Sequence, residues 1–95
     1  MWFGPDESGK RVGKVLMDAR LAADLKQDVL AKRLSKPQSF VSSYESGQRR
    51  IDLLEFTRIA EALSAEPVAL FRKIHAAVGT KPKKFVVRPL PKARR

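Results

Sequence analysis

The chain has 95 residues, of which 43% are hydrophobic, and it carries a formal charge of +10 at pH 7 with no cysteine. A chain of this length forms one domain around a modest core, and the lack of cysteine excludes a disulfide framework or a cysteine-based metal site. No apolar run approaches the roughly 20 residues that span a bilayer, and the N-terminus lacks the segments of a signal peptide. We therefore expect a soluble cytoplasmic protein without a membrane segment.

The N-terminal residues 1–10 show no hydrophobic period and contain two glycines and a proline, a composition that predicts a flexible arm. Beyond this arm the pattern becomes helical, because apolar side chains recur at the spacing of one helix face at Val12, Leu16, Ala19 and Ala23. The first helix is therefore predicted at about 11–24.

Two short helices are predicted next, separated by a break of about three residues. The first spans about Gln27–Leu34, and the second spans 37–46. Pro37 marks the break because proline disfavours a helical residue before it and is tolerated at a helix start. In the second of these helices we expect Val41 and Tyr44 to face inward, and Gly47 to end the helix in a left-handed conformation.

A fourth helix is predicted at about 53–63, because Asp52 followed three residues later by Glu55 forms the pattern of a capping box. Its inner face would carry Leu53, Phe56, Ile59, Ala60 and Leu63. A fifth helix would begin at Pro67 and reach about Ala77.

The last segment, 80–95, contains seven basic residues and no acidic one, together with three prolines. Subtracting these seven charges from +10 leaves +3 for residues 1–79, so the excess of positive charge is concentrated in a flexible basic tail. The predicted fold is therefore all-α: a compact five-helix bundle at 11–79 that contains a helix-turn-helix, between the arm at 1–10 and the tail at 80–95.

The outer face of the third helix is unusual for a helix surface, because it is polar but almost uncharged: it offers Gln38, Ser39, Ser42 and Ser43. Lys and Glu would normally be expected at such positions. Gln can form two hydrogen bonds with adenine, and Ser can bind several base edges, so the pattern suits a surface that contacts bases. Simple surface filler is the alternative that these residues alone leave open.

Residues from the first to the fourth helix combine into a recognisable order and spacing, at Arg20, Gln27, Leu30, Ala31, Val41, Ser42, Tyr44, Glu45, Gly47, Arg49, Arg50, Asp52, Leu53, Glu55, Phe56, Ile59, Ala60, Ala62 and Leu63. In this combination the chain resembles the helix-turn-helix domain of phage repressors and Cro proteins, the XRE family. The resemblance implies a lambda repressor-like fold that binds double-stranded DNA with its third helix in the major groove. It also implies a transcriptional regulator of repressor type, associated with the nucleoid.

At the matched positions the resemblance implies particular contacts. The base contacts would come from Gln38, Ser39 and Ser43, and the backbone contacts from Gln27, Lys36, Ser42, Arg49 and Arg50. Phe40 departs from the family pattern, which commonly has a polar residue or Tyr there; we expect it to contact a thymine methyl group as a further base contact, with packing against the second helix as the alternative. Arg20 and Glu45 resemble the internal ion pair of the family.

The partners implied are an inverted-repeat operator and a second copy of the chain in a homodimer. We expect no cofactor and no metal, since His75 is the only histidine, and no enzymatic activity, since the serines of the third helix have no nearby general base. Two alternatives remain open at this point. One is an antitoxin-like DNA-binding protein that also binds a protein partner through its tail, and the other is a non-specific nucleoid or RNA-binding protein.

Overall fold

The structure, a computed structural model, describes residues 5–79. They form five helices: α1 at Pro5–Ala22, α2 at Gln27–Leu34, α3 at Gln38–Glu45, α4 at Leu53–Ala62 and α5 at Pro67–Val78. The predicted all-α, five-helix architecture is confirmed, and none of the helices in this part of the chain is long and apolar enough to cross a membrane. The tail predicted at 80–95 and the first four residues of the predicted arm lie outside the described residues.

The first helix begins six residues earlier than predicted, so residues 5–10 belong to α1 and not to a flexible arm. Proline is tolerated in the first turn of a helix, and Glu7 and Arg11 form an i, i+4 ion pair of 2.9 Å on its surface. Gly9 permits close packing, because a Cβ atom there would lie 3.0 Å from the carbonyl oxygen of Gly47. The glycine that indicated flexibility is therefore a point of contact between α1 and the end of α3.

The ends of the central helices agree closely with the sequence. Gly47 has a φ of 85°, which is the left-handed conformation expected after α3. The capping box of α4 is present: the amide of Glu55 donates to Asp52 Oδ1 at 2.7 Å, and the amide of Asp52 donates to Glu55 Oε1 at 3.0 Å. At the start of α5, Glu66 accepts a hydrogen bond of 2.9 Å from the amide of Ala69.

One buried cluster draws on all five helices: Leu16, Leu30, Ala31, Phe40, Val41, Tyr44, Ile59, Ala60, Leu63, Leu70 and Ile74. The prediction that Leu53 faces this core is wrong, because its side chain is 79% exposed. Helical side chains lean towards the N-terminus, so the side chain of the first residue of α4 extends past the end of the helix.

The helix α3 is held by two neighbours, since it packs against both α1 and α2. The buried side of α3 carries Val41 and Tyr44, as predicted. The opposite side is left without a covering helix in the described part of the chain. The fold therefore presents one face of a short helix to solvent on a rigid support.

Candidate nucleic-acid interface

The uncovered side of α3 consists of small polar groups. Gln38, Ser39 and Ser42 are exposed, and Ser43 is half-buried. The helix carries no acidic residue in its first turn and no basic residue in its last turn. This face therefore offers hydrogen-bond donors and acceptors with no net charge.

The start of α2 lies beside this face, and neither helix has a side-chain cap at its N-terminus. Lys26 precedes α2 and Pro37 precedes α3, and neither makes a side-chain capping hydrogen bond. The first amides of a helix have no partner within the helix, and they form a region of positive potential. Both helix starts are therefore suited to an anionic group.

A buried ion pair connects α1 to the inner side of α3. Arg20 Nε lies 2.7 Å from Glu45 Oε2 and Arg20 Nη2 lies 3.0 Å from Glu45 Oε1, and each residue is only 8% exposed. Arg20 also donates to the carbonyl of Leu25 at 2.8 Å, and the hydrogen bond to Glu45 raises the pKa of its guanidinium. The structure thus brings together the two residues that the sequence pairs, and it adds the chain between α1 and α2 to the same network.

This network continues to the exposed face through two glutamines. Gln27 Nε2 donates to Glu45 Oε1 at 2.9 Å, and Gln38 Nε2 donates to Gln27 Oε1 at 3.3 Å. Both glutamines were expected at the interface, but the hydrogen bond between them was not. This hydrogen bond joins the start of α2 to the start of α3, so it forms only because the two helices cross there.

Phe40 is buried, which contradicts the prediction that it contacts a base. Its side chain is 9% exposed, and its ring meets the ring of Tyr44 edge-on at 5.4 Å between centroids. Lys36 Nζ lies 5.4 Å and Arg49 Cζ 4.8 Å from the centroid of the ring. The ring therefore packs against Tyr44 and beside two cations, which leaves little of it exposed for a thymine methyl group.

The two arginines after α3 have different surroundings. Arg49 forms a bidentate pair with Glu55, with both N–O distances at 3.0 Å, and Arg49 Nη1 also donates to the carbonyl of Arg50 at 2.7 Å. These donors, together with the amide of Asp52, lower the pKa of Glu55. The side chain of Arg50 is exposed and makes no hydrogen bond or ion pair within residues 5–79.

The arrangement therefore has an uncharged polar centre with cationic groups at its margin, namely Lys36, Arg49 and Arg50. Contacts of cations and helix amides with phosphate position a protein on a duplex, whereas neutral polar side chains read base edges. Within the described residues, no group of histidine, aspartate and glutamate is placed to hold a metal ion.

The chain is similar to a known protein family and to several solved structures. A helix-turn-helix family model matches residues 16–70, more than half of the chain. An XRE-family like protein from Pseudomonas syringae pv. tomato is 39% identical, with 73% of this chain and 84% of that chain covered and a TM-score of 0.65. The restriction-modification controller protein C.AhdI from Aeromonas hydrophila is 35% identical, with coverage of 65% and 90% and a TM-score of 0.62.

A third solved structure resembles the chain in fold alone. The restriction-modification controller protein C.Esp1396I, a tetramer in complex with its natural 35 base-pair operator, is 20% identical, with 74% of this chain and 92% of that chain covered and a TM-score of 0.67. Among proteins of curated function, none matches the chain.

Proposed function

The chain belongs to the XRE helix-turn-helix family of DNA-binding transcriptional regulators, and we propose that it is a repressor that binds an inverted-repeat operator as a homodimer. One observation carries this proposal: the exposed side of α3 is an uncharged row of Gln38, Ser39, Ser42 and Ser43, while the opposite side of the same helix is buried. A helix of this kind fits the major groove, where such side chains discriminate base pairs.

Gln38 is the principal base reader in this proposal. One N–H of its amide donates to Gln27, which leaves a second N–H and the amide oxygen available. Adenine presents an acceptor at N7 and a donor at N6 in the major groove, so the two free groups of Gln38 match adenine. Ser39 and Ser43 contribute hydroxyl groups to the same surface.

The backbone contacts come from the margin of this face. One N–H and the amide oxygen of Gln27 are used within the protein, so its phosphate contact is made through its second N–H and the main-chain amides at the start of α2. Ser42, Lys36 and the loop after α3 complete these contacts with side chains. Because phosphate carries no sequence information, they fix the register of α3 on the duplex.

The dimer surface in this proposal is formed by α4 and α5. Leu53, Leu54, Val68 and Phe71 are 79%, 62%, 58% and 49% exposed. Four large exposed apolar side chains on adjacent helices are typical of a surface that a partner covers. A two-fold axis there would place two α3 helices in major grooves about one turn of DNA apart.

Selection of bound sites from random DNA tests the proposal, and we expect sites with inverted symmetry. Gln38→Ala should lower the preference at one base pair per half-site by about 5- to 150-fold, the equivalent of about 1–3 kcal/mol, without changing the stability of the protein. Gln48→Ala is the matched control, since Gln48 is exposed just beyond α3. An unchanged preference in Gln38→Ala would show that α3 does not read bases as proposed.

The antitoxin-like alternative depends on a partner that binds through residues 80–95, which lie outside the described residues. It stays a prediction, and copurification of a small partner that is lost on removal of residues 80–95 would support it.

A further inference from the structure

Two adjacent arginines follow α3, with the same charge and nearly the same place in the chain, but their side chains are in opposite situations. Arg49 has several partners, whereas the side chain of Arg50 has none within the described residues. Both were expected to bind phosphate. The difference between them indicates that only one of the two is available for that contact.

The contacts of Arg49 leave it little capacity for DNA. Three of the five N–H groups of its guanidinium are used, two by the carboxylate of Glu55 and one by the carbonyl of Arg50. One face of the guanidinium lies over the ring of Phe40, at 4.8 Å from the centroid. The two N–H groups that remain, on Nε and Nη2, belong to a guanidinium whose charge is already balanced by the carboxylate of Glu55, so a phosphate gains little there.

Glu55 is itself held in place, which makes the pair a fixed part of the loop. Its carboxylate also accepts from the amide of Asp52 at 3.0 Å, as part of the capping box. The hydrogen bonds from Arg49 and from the amide of Asp52 lower the pKa of Glu55, because they favour its ionised form. The first turn of α4, the loop at 49–52 and the ring of Phe40 are therefore connected through one guanidinium.

We propose that Arg49 is a positioning residue, which holds the main chain of Arg50 through the 2.7 Å hydrogen bond to its carbonyl, and that Arg50 alone makes the phosphate contact of this loop. The inference rests on the proposed DNA-binding function. In this proposal Arg49 stabilises the loop, and Arg50 binds the DNA backbone.

The salt dependence of operator binding separates the two roles, because each lost phosphate contact lowers the slope of log K against log salt by about one. Arg50→Gln should show this decrease. The double variant Arg49→Gln with Glu55→Gln preserves the net charge, and it should keep the wild-type slope while binding about 2- to 10-fold more weakly, the equivalent of one net hydrogen bond. Arg49→Lys should also bind more weakly, since a lysine cannot form the same fork.

A decrease of about one in the slope of the double variant would overturn the proposal, and so would a wild-type slope in Arg50→Gln. Urea unfolding of each variant confirms that it is folded before binding is compared.

A measurement without DNA keeps this inference distinct from the proposed function. In NMR spectra of the free protein, the Nη signals of Arg49 should be resolved, because the bidentate pair slows rotation of the guanidinium, whereas those of Arg50 should be averaged. Glu55→Gln should average the Arg49 signals. Averaged Arg49 signals in the wild type would contradict the fixed bidentate pair of Arg49 with Glu55 and would refute this inference. Resolved Arg49 signals in a protein that shows no sequence preference for DNA would refute the proposed function alone.

Discussion

The two sides of α3 differ in the burial of their side chains and in the partners of those side chains. On the inner side Val41, Tyr44 and Glu45 are buried, with Glu45 paired to Arg20 of α1. On the outer side the side chains of Gln38, Ser39 and Ser42 are exposed, and they have few partners within the described residues. The inner side determines whether the helix is held in place, and the outer side determines what it can contact.

This difference shows how an eight-residue helix serves as a recognition element. A helix of this length is not stable alone in water, so its shape depends on tertiary packing. Because only one side of α3 packs against other helices, the side chains on the other side are not needed for stability. We therefore expect changes on the inner side to lower the stability of the protein, and changes on the outer side to leave its stability unaltered.

The largest effect is expected on the inner side, from Glu45→Ala. This change leaves Arg20 buried without its partner, and removal of one member of a buried ion pair costs about 3–5 kcal/mol. The free energy of unfolding in urea measures the loss. Ser42→Ala, on the outer side of the same helix, is the control and should stay within about 0.5 kcal/mol of the wild type. Similar losses in both variants would show that the two sides are not separate.

Gly13→Ala should also destabilise the inner side, by about 1–3 kcal/mol. A Cβ atom at Gly13 would collide with the backbone carbonyl groups of Tyr44 and Glu45. Gly9→Ala is a graded control, because its Cβ would meet the nearest backbone atom at 3.0 Å and so needs a smaller shift. Thermal unfolding compares them, and an equally stable Gly13→Ala would mean that α1 can move away from α3.

Gln27→Ala should affect both sides of α3, because Gln27 contacts both Glu45 on the inner side and Gln38 on the outer side. We expect a loss of about 1 kcal/mol in the free energy of unfolding, together with a weaker base preference at the position that Gln38 reads. Asp28→Asn, an exposed neighbour, should change neither. A loss of stability with an intact base preference would indicate that Gln38 does not depend on Gln27 for its orientation.

Acid should affect the loop beside α3 through Glu55, whose folded pKa lies below its ordinary value of 4.5. A group with a lowered folded pKa stabilises the protein above its unfolded pKa, and this contribution is lost as the pH falls through the folded value. The difference in unfolding free energy between wild type and Glu55→Gln should therefore shrink below about pH 4.5. It should be small because solvent reaches both members of the pair, and a difference that does not change with pH would contradict the assignment.

The smallest effect is expected from Tyr44→Phe, although Tyr44 is 1% exposed. Its hydroxyl has no hydrogen-bond partner within residues 5–79, and burial raises the pKa of this group, so it stays protonated. Tyr44 also lines a cavity of about 280 Å³, together with Val12, Ile51 and Val78. Removal of an unpaired hydroxyl should leave the stability equal or higher by up to about 1 kcal/mol. A clear loss would reveal a partner for the hydroxyl.

Most of the fold follows from local signals. The helix-turn-helix unit was predicted to within one residue, because Pro37 and Gly47 restrict the backbone in known ways and the spacing of Val41 and Tyr44 identifies the inner side. The polar row on α3 was visible for the same reason. By contrast, the start of α1 was predicted wrongly, because a glycine can indicate either a flexible backbone or close packing against a neighbouring element.

The contacts between helices were the least predictable part of the site. Phe40 lies between the two faces, and whether it turns inward depends on how closely α3 approaches its neighbours. The hydrogen bond of Gln27 with Gln38 and the pair of Arg49 with Glu55 join separate elements, so they depend on crossing angles and loop paths that no local pattern encodes. The ion pair of Arg20 and Glu45 was expected only because the resemblance implied it.

The close approach of α1 to Gly47 has a consequence for the modularity of this domain. The family match begins at residue 16, whereas the contacts of Gly9 and Gly13 with the end of α3 lie upstream of it. The C-terminal end of α3 is therefore braced by turns of α1 that lie upstream of the segment matched by the family model. A chimera that transplants only residues 16–70 into another scaffold would leave this brace behind, whereas a graft that contains all of α1, from Pro5, would keep it.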